Sequence, residues 1–217
     1  MKKALLLTLG LFLLVAPACD TSLNVTLYTA DVFDDSKALK TRATVTTEFS
    51  EDEEDQIIAL LKENFTGAKN FRKRKVGYSE HLKFDYEMDI VDDQVKDKYV
   101  AKNLMTLVLT PDSGGTIQLG VQLNKAKFDA LNAQVSEDYY GDITMEDLKF
   151  RVDINNDMWD KIRITAKSCY INGEAIPFEK DFVLAKRDVV EVSFSEILKQ
   201  SLLTGEVANF CVFAKAE

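Results

Sequence analysis

The chain has 217 residues, 27 Lys and Arg against 36 Asp and Glu, and a formal net charge of −9. That balance argues against general binding to nucleic acid or to anionic lipid, and it suits solubility. The length can bury one large core or two small ones, while a single His and three Cys leave little material for metal or nucleophile chemistry.

The chain opens on cationic Met1-Lys2-Lys3, runs apolar from Ala4 to Ala16, and reaches Ala16-Pro17-Ala18-Cys19. A positive start, an apolar middle and small residues at a cut site make a secretory signal. Thirteen apolar residues reach only roughly 20 Å as a helix, short of the ~20 residues a span needs. Residues 1–18 are therefore expected to be removed, leaving 199 residues, 19–217, as the globular body. Cutting before Cys19 would make it the lipid-bearing first residue; ordinary cleavage after Ala18 would leave it a free terminal thiol. Lipidation is the expected route, although Ala16 stands where Leu is usual. Cys169 and Cys211 then form the remaining pair. In an oxidising compartment they could bridge, closing a loop of about forty residues worth roughly 3–4 kcal/mol, or stay as buried thiols.

Strand alternation dominates the body. Leu23, Val25 and Leu27 alternate with polar residues, and so do Ala43, Val45, Thr47 and Phe49. The clearest run is Leu82, Phe84, Tyr86, Met88 and Ile90, whose other face is His81, Lys83, Asp85, Glu87 and Asp89. One wet face argues antiparallel pairing. Further runs centre on Leu107, Leu119, Phe150 and Ile164, with a last strand at Phe210 and Val212. Asn172-Gly173 predicts a type I′ hairpin turn. Three helices are expected: one after the capping box Ser50-Glu51-Asp52-Glu53, one from about Asn124, and one over Ser195–Leu203 ended by Gly205. The class this predicts is α+β, antiparallel sheet with about three helices packed on one face. A lapse of apolar pattern near 92–102 would be the place for any subdivision.

Four constellations invite chemistry. Asp112-Ser113-Gly114-Gly115 has the look of a serine-protease nucleophile loop, but its His would have to be His81, and a hairpin turn explains it. Asp153, Asn155 and Asp157 make half a calcium loop that lacks its Gly and closing Glu. Asp31, Asp34 and Asp35 cluster without ligand spacing. No metal site and no cofactor are expected, and no catalytic residue can be chosen. Arg72, Lys73, Arg74 and Lys75 form the one basic run. They either dock an acidic partner or lipid head groups, or simply oppose the acids at 51–55.

Cys19-Asp20-Thr21-Ser22-Leu23-Asn24-Val25-Thr26-Leu27, Gly67-Ala68-Lys69 and Tyr170-Ile171-Asn172-Gly173 resemble small lipoproteins of unknown function from phages and prophages of enteric-type bacteria. The resemblance implies a periplasm-facing cell-envelope setting and brings no catalytic residues. Asp20 after the lipidated Cys would imply retention at the inner membrane. The expected function is non-enzymatic: a lipoprotein held in the membrane through Cys19 that binds an envelope protein and interferes with phage infection. A carrier of a small apolar ligand is the alternative, and a hydrolase using acidic residues the third.

Overall fold

The computed structural model describes residues 21–49, 54–77, 79–139, 144–145 and 147–216. The signal, Cys19, Asp20 and the capping box at Ser50–Glu53 lie outside the described residues. Eleven strands join into one sheet. They are β1 (Thr21–Tyr28), β2 (Ala38–Glu48), β3 (Lys69–Val76), β4 (Ser79–Asp92), β5 (Met105–Pro111), β6 (Ile117–Leu123), β7 (Leu148–Asn155), β8 (Ile162–Ile171), β9 (Glu174–Leu184), β10 (Val189–Phe194) and β11 (Ala208–Lys215). The five helices are α1 (Thr29–Val32), α2 (Glu54–Asn64), α3 (Lys96–Val100), α4 (Lys125–Tyr139) and α5 (Glu196–Leu202).

The α+β expectation is overturned. The chain is mostly β, and its sheet closes into a nine-stranded barrel. The ring runs β10-β7-β1-β2-β4-β5-β6-β11-β8 and returns to β10. Two of its pairings are parallel, β1 with β7 and β4 with β5, where alternation had argued for antiparallel sheet. Alternation reports one buried face but not what that face packs against. Here it packs against the rest of the same sheet, so the helices are not needed as a covering layer. The ring also draws strands from both sides of residues 92–102, where a 3-10 turn and α3 carry the chain from β4 to β5.

The apolar faces behave as the pattern dictates. Leu82, Phe84, Tyr86, Met88 and Ile90 are buried, as are Leu23, Val25 and Leu27 of β1 and Phe150, Val152 and Ile154 of β7. Phe84, Phe150, Phe210 and Phe213 are the bulkiest of the side chains that the core encloses completely. Asn172 and Gly173 take positive φ of 48° and 84° and turn β8 into β9, as the hairpin signal required. Ser195 caps α5, its hydroxyl accepting from Leu198 N–H. The chain leaves the ring into α2, α4 and α5 from the C-terminal ends of β2, β6 and β10, which run in the same direction. These helices therefore gather at one end of the barrel. They tuck in Leu60 and Leu61, Phe128 and Leu131, and Leu198 and Leu202 respectively. The opposite end carries α1 and the short connections between β5 and β6, β7 and β8, and β9 and β10.

Two strands outgrow the ring. β4 gives one edge to β2 and divides the other, pairing residues 79–85 with β3 and 90–92 with β5. β8 gives one edge to β9 and divides the other between β11 at 162–166 and β10 at 169–171. β3 and β9 therefore project as arms with free edges.

β11 carries a bulge between Asn209 and Cys211 that turns both Phe210 and Cys211 into the core. Opposite it, Gly120 sits so close that a Cβ would lie 2.4 Å from Val207 Cγ1 and 2.6 Å from Asn209 Oδ1. Gly120→Ala is accordingly expected to cost about 1–3 kcal/mol by overpacking. Urea denaturation should show a lowered midpoint at unchanged slope; an unchanged midpoint would mean that the bulge relaxes freely.

Candidate functional site: a polar cleft and an apolar arm

A cleft of about 570 Å³ opens on the outer wall where β2, β4 and β3 meet, lined by Lys40, Thr41, Arg42, Lys69, Asn70, Asp85, Tyr86 and Glu87. Asp85 and Glu87 belong to the wet face that the alternation marks, yet Asp85 is buried. Its carboxylate accepts from Asn70 Nδ2 at 3.0 Å, Arg42 Nη2 at 3.1 Å and Thr44 Oγ1 at 3.1 Å. Asn70 reaches it from a left-handed backbone, φ 58°, in the irregular start of β3, a conformation that Asn tolerates. These bonds, Asn70's foremost, hold the Asp85 carboxyl below its ordinary range against the opposing effect of burial. Glu87 is held down too, by Lys40 at 3.2 Å and Lys69 at 3.4 Å.

Both acids of the cleft shift in the same direction. A carboxylate pair for hydrolysis needs one acid raised and the other lowered, and here neither is raised. The residues that line the cleft are polar or charged apart from Tyr86. At its back Tyr86 packs its ring against Phe65, centroids 5.1 Å apart, and buries a hydroxyl without a partner. Burial drives that phenol's pKa upward.

The other sequence candidates are dispersed. His81 starts β4 while Ser113 lies beyond the end of β5, and β4 alone spans about 36 Å from His81 to Asp92 at ~3.3 Å per residue. Ser113 Oγ instead donates to Asp112 Oδ1 at 3.2 Å, so no nucleophile–base pair exists between them. Asp153 pairs with Arg151 and Asp157 accepts from Ala30 N–H at 3.0 Å, so the half calcium loop is spent on structure. Asp31 has its carboxyl pushed up by burial and by the charges of Asp157 and Asp34. Among the described residues no group of three or more His, Cys, Asp or Glu is placed to hold a metal.

Cys169 and Cys211 are buried, unbridged thiols. β11 sets Cys211 opposite Ala166, three residues from Cys169 on β8. Burial pushes the Cys169 thiol up to about 11 and that of Cys211 well above its usual value, so neither is a ready nucleophile.

The basic run lies on β3 and divides by alternation. Lys73 pairs with Glu54 and Lys75 with Glu80, in line with the opposing acids. Arg72 and Arg74 fall opposite Lys83 and His81 of β4, and among the described residues Arg72, Arg74 and Lys83 have no ion-pair partner.

Two features escaped the sequence. Asn156, in a turn that read as merely polar, ties the far end together. Its Oδ1 accepts from Thr29 Oγ1 at 2.8 Å, and its Nδ2 donates to the carbonyls of Asp160 and Leu184, both at 3.0 Å. The second is an apolar arm. Of the exposed large apolar side chains, Tyr170, Phe178 and Val183 lie on β8 and β9, Trp159 just before β8 and Val189 at the start of β10, Trp159 at 86% exposure with Lys186 Nζ over its ring.

Fold and surface thus define a closed, helix-ended β-barrel with two free-edged arms, one basic and one apolar. The chain belongs to a family known so far as a domain of unknown function, DUF7424, whose model matches residues 21–217. No curated protein matches it.

Three measurements check this geometry. Asn156→Asp replaces two N–H donors by an oxygen facing two carbonyls and should cost about 2–4 kcal/mol in urea unfolding; a loss below about 0.5 kcal/mol would show the turn to be independent of it. Asp85 carries a depressed pKa, so its stabilisation is present above the unfolded value near 3.9 and lost as pH falls through the folded value. Asp85→Asn should therefore be less stable at neutral pH and flatter below about pH 4 than the parent; parallel curves would refute the assignment. Iodoacetamide at pH 8 should label neither Cys169 nor Cys211 in the folded protein, and labelling after denaturation without reductant then counts two thiols or one bridge. Rapid labelling of the native protein would contradict the burial.

Proposed function

We propose that this is a non-enzymatic envelope lipoprotein, tethered through Cys19 and binding a protein partner through the β8–β9 arm. The observation that carries the binding is the arm itself. β9 leaves one edge unpaired and carries Phe178 at 83% exposure, and Tyr170 of β8 and Val183 of β9 are exposed on the same pair of strands. A free strand edge is a template for another strand, and aromatic side chains anchor protein interfaces. Monomeric proteins seldom keep a run of apolar residues in water without a partner.

The tether follows from Ala18-Cys19 and the short apolar leader. The family match begins at Thr21, so the body starts immediately behind the proposed lipid. Asp20 would keep the protein at the inner membrane, facing the periplasm, and a prophage origin would make the partner a component used by incoming phage.

Palmitate fed to expressing cells should label the wild type and not Cys19→Ala; no label on the wild type refutes the tether. A photo-crosslinker at Phe178 in living cells should give one discrete envelope adduct, weakened several-fold by Trp159→Ser. Adducts scattered over many proteins would remove the arm from consideration. Unchanged plating of a broad phage panel on expressing cells would dispose of the exclusion role while leaving the partner in place.

A further inference from the structure

The ladder registers place the basic arm beside the start of the chain. Thr21 of β1 lies opposite Thr47 of β2, Thr47 opposite Leu82 of β4, and Leu82 opposite Lys73 of β3. One row across four strands therefore joins the residue two beyond Cys19 to the middle of the Arg72–Lys75 run. At ~4.8 Å per strand the two are about 14 Å apart.

The next rows carry the charge. Thr46, Lys83 and Arg72 stand abreast, as do Glu48, His81 and Arg74. Residues opposite one another share a face, so Arg72, Arg74 and Lys83 stand on the outer wall of the barrel, with Glu48 the one acid among the described residues that these two rows name. Like charges directly opposite, as Arg72 and Lys83 are, destabilise a strand pair. The arrangement is relieved when an external anion lies across it. Charged residues on an edge strand also resist strand addition, which disfavours an extended peptide as that anion. A planar array of anions needs no such pairing.

We infer that β3 and the adjoining rows of β4 form a docking surface for anionic lipid head groups, seating the barrel on its β2–β4–β3 side beside the lipid of Cys19. The inference rests on the lipoprotein reading for its geometry. The far end, with Asp31, Asp34 and Asp157 close enough for their charges to interact, would point away together with Trp159. The lipid of Cys19 would hold the chain at the membrane, and the basic surface would set which side of the barrel faces it.

The test uses the full chain processed in expressing cells and vesicles of phosphatidylcholine with or without phosphatidylglycerol. Cys19→Ala, which removes the lipid but keeps the arm, should sediment with anionic vesicles at low salt and not with neutral ones. Adding Arg72→Gln, Arg74→Gln and Lys83→Gln should weaken that binding by about tenfold or more. Replacing Arg72 and Arg74 by Lys should preserve it, and matching urea midpoints would show that all variants fold. In lipidated protein on vesicles, the fluorescence of Trp159, the chain's single Trp, should be quenched by iodide and spared by brominated lipid. Equal sedimentation with both vesicle types, or strong quenching by brominated lipid, overturns the inference. If palmitate labels the wild type while anionic preference is absent, the docking surface fails and the tether stands. If the label is absent while the preference persists, the tether fails and the docking surface stands.

Discussion

Closure of the ring depends on two short seams. β10 meets β8 at only three ladder positions, Val192–Phe194 against Cys169–Ile171. β4 meets β5 at three more, Ile90–Asp92 against Leu107–Leu109. Other neighbours share longer ladders, such as the eight positions that join β1 to β7. Without the seams the same strands would form an open sheet whose apolar face needs another layer, and the helices are too few and too gathered at one end to supply it. Each seam exists because a long strand divides one edge between two neighbours. On β4 the remainder of the divided edge holds the arm β3, whereas on β8 the arm β9 occupies the whole of the opposite edge. Closure and both arms therefore depend on the same two long strands.

The seams are protected by side chains more than by backbone. Where β4 passes from β3 to β5, residues 86–89 have no strand on that edge. Phe65, just past α2, fills the gap by packing edge-on against Phe84 and Tyr86, at 5.3 and 5.1 Å, and Asn103 donates to Asp89 at 2.6 Å. Beside the second seam Phe194 packs between Phe150 and Phe210, at 4.4 and 4.9 Å, spanning from β7 to β11. Aromatic rings suit this task because they bury large areas and tolerate tilted contacts.

This explains which parts of the molecule were legible in the sequence. Alternation along Leu82–Ile90 or Leu148–Ile154 is a local signal with a period of two, and it marked inner and outer faces correctly. The Asn172-Gly173 turn and the Ser195 cap are equally local. What a strand pairs with is not local. Nothing in the residues of β10 distinguishes a partner in β7 from one in β8, and the parallel pairing of β1 with β7 joins residues more than a hundred positions apart. β3 was missed for a different reason. Lys69–Val76 is exposed on almost every residue, so it has no apolar period to detect, and its structure is owed to the edge of β4. Asn156 was hidden because a satisfied buried amide and an exposed turn amide are the same letter.

The site residues divide along the same line. That Asp85 would stand on the outer face was readable; that it would be buried there under Asn70, Arg42 and Thr44 was not, because Asn70 arrives from β3. The four consecutive basic residues looked like one feature, and the fold made them two. Strand geometry sends Lys73 and Lys75 to one set of neighbours, where Glu54 and Glu80 neutralise them, and Arg72 and Arg74 to another, where Lys83 adds to their charge. An acidic protein can thus carry a local cationic surface without contradiction, because its net charge acts over the Debye length whereas this face presents its cations within one or two strand spacings. The physical asymmetry that results, a basic arm on the row of Thr21 and an apolar arm reaching toward Trp159 at the other end, gives the barrel a near side and a far side relative to whatever holds its first strand.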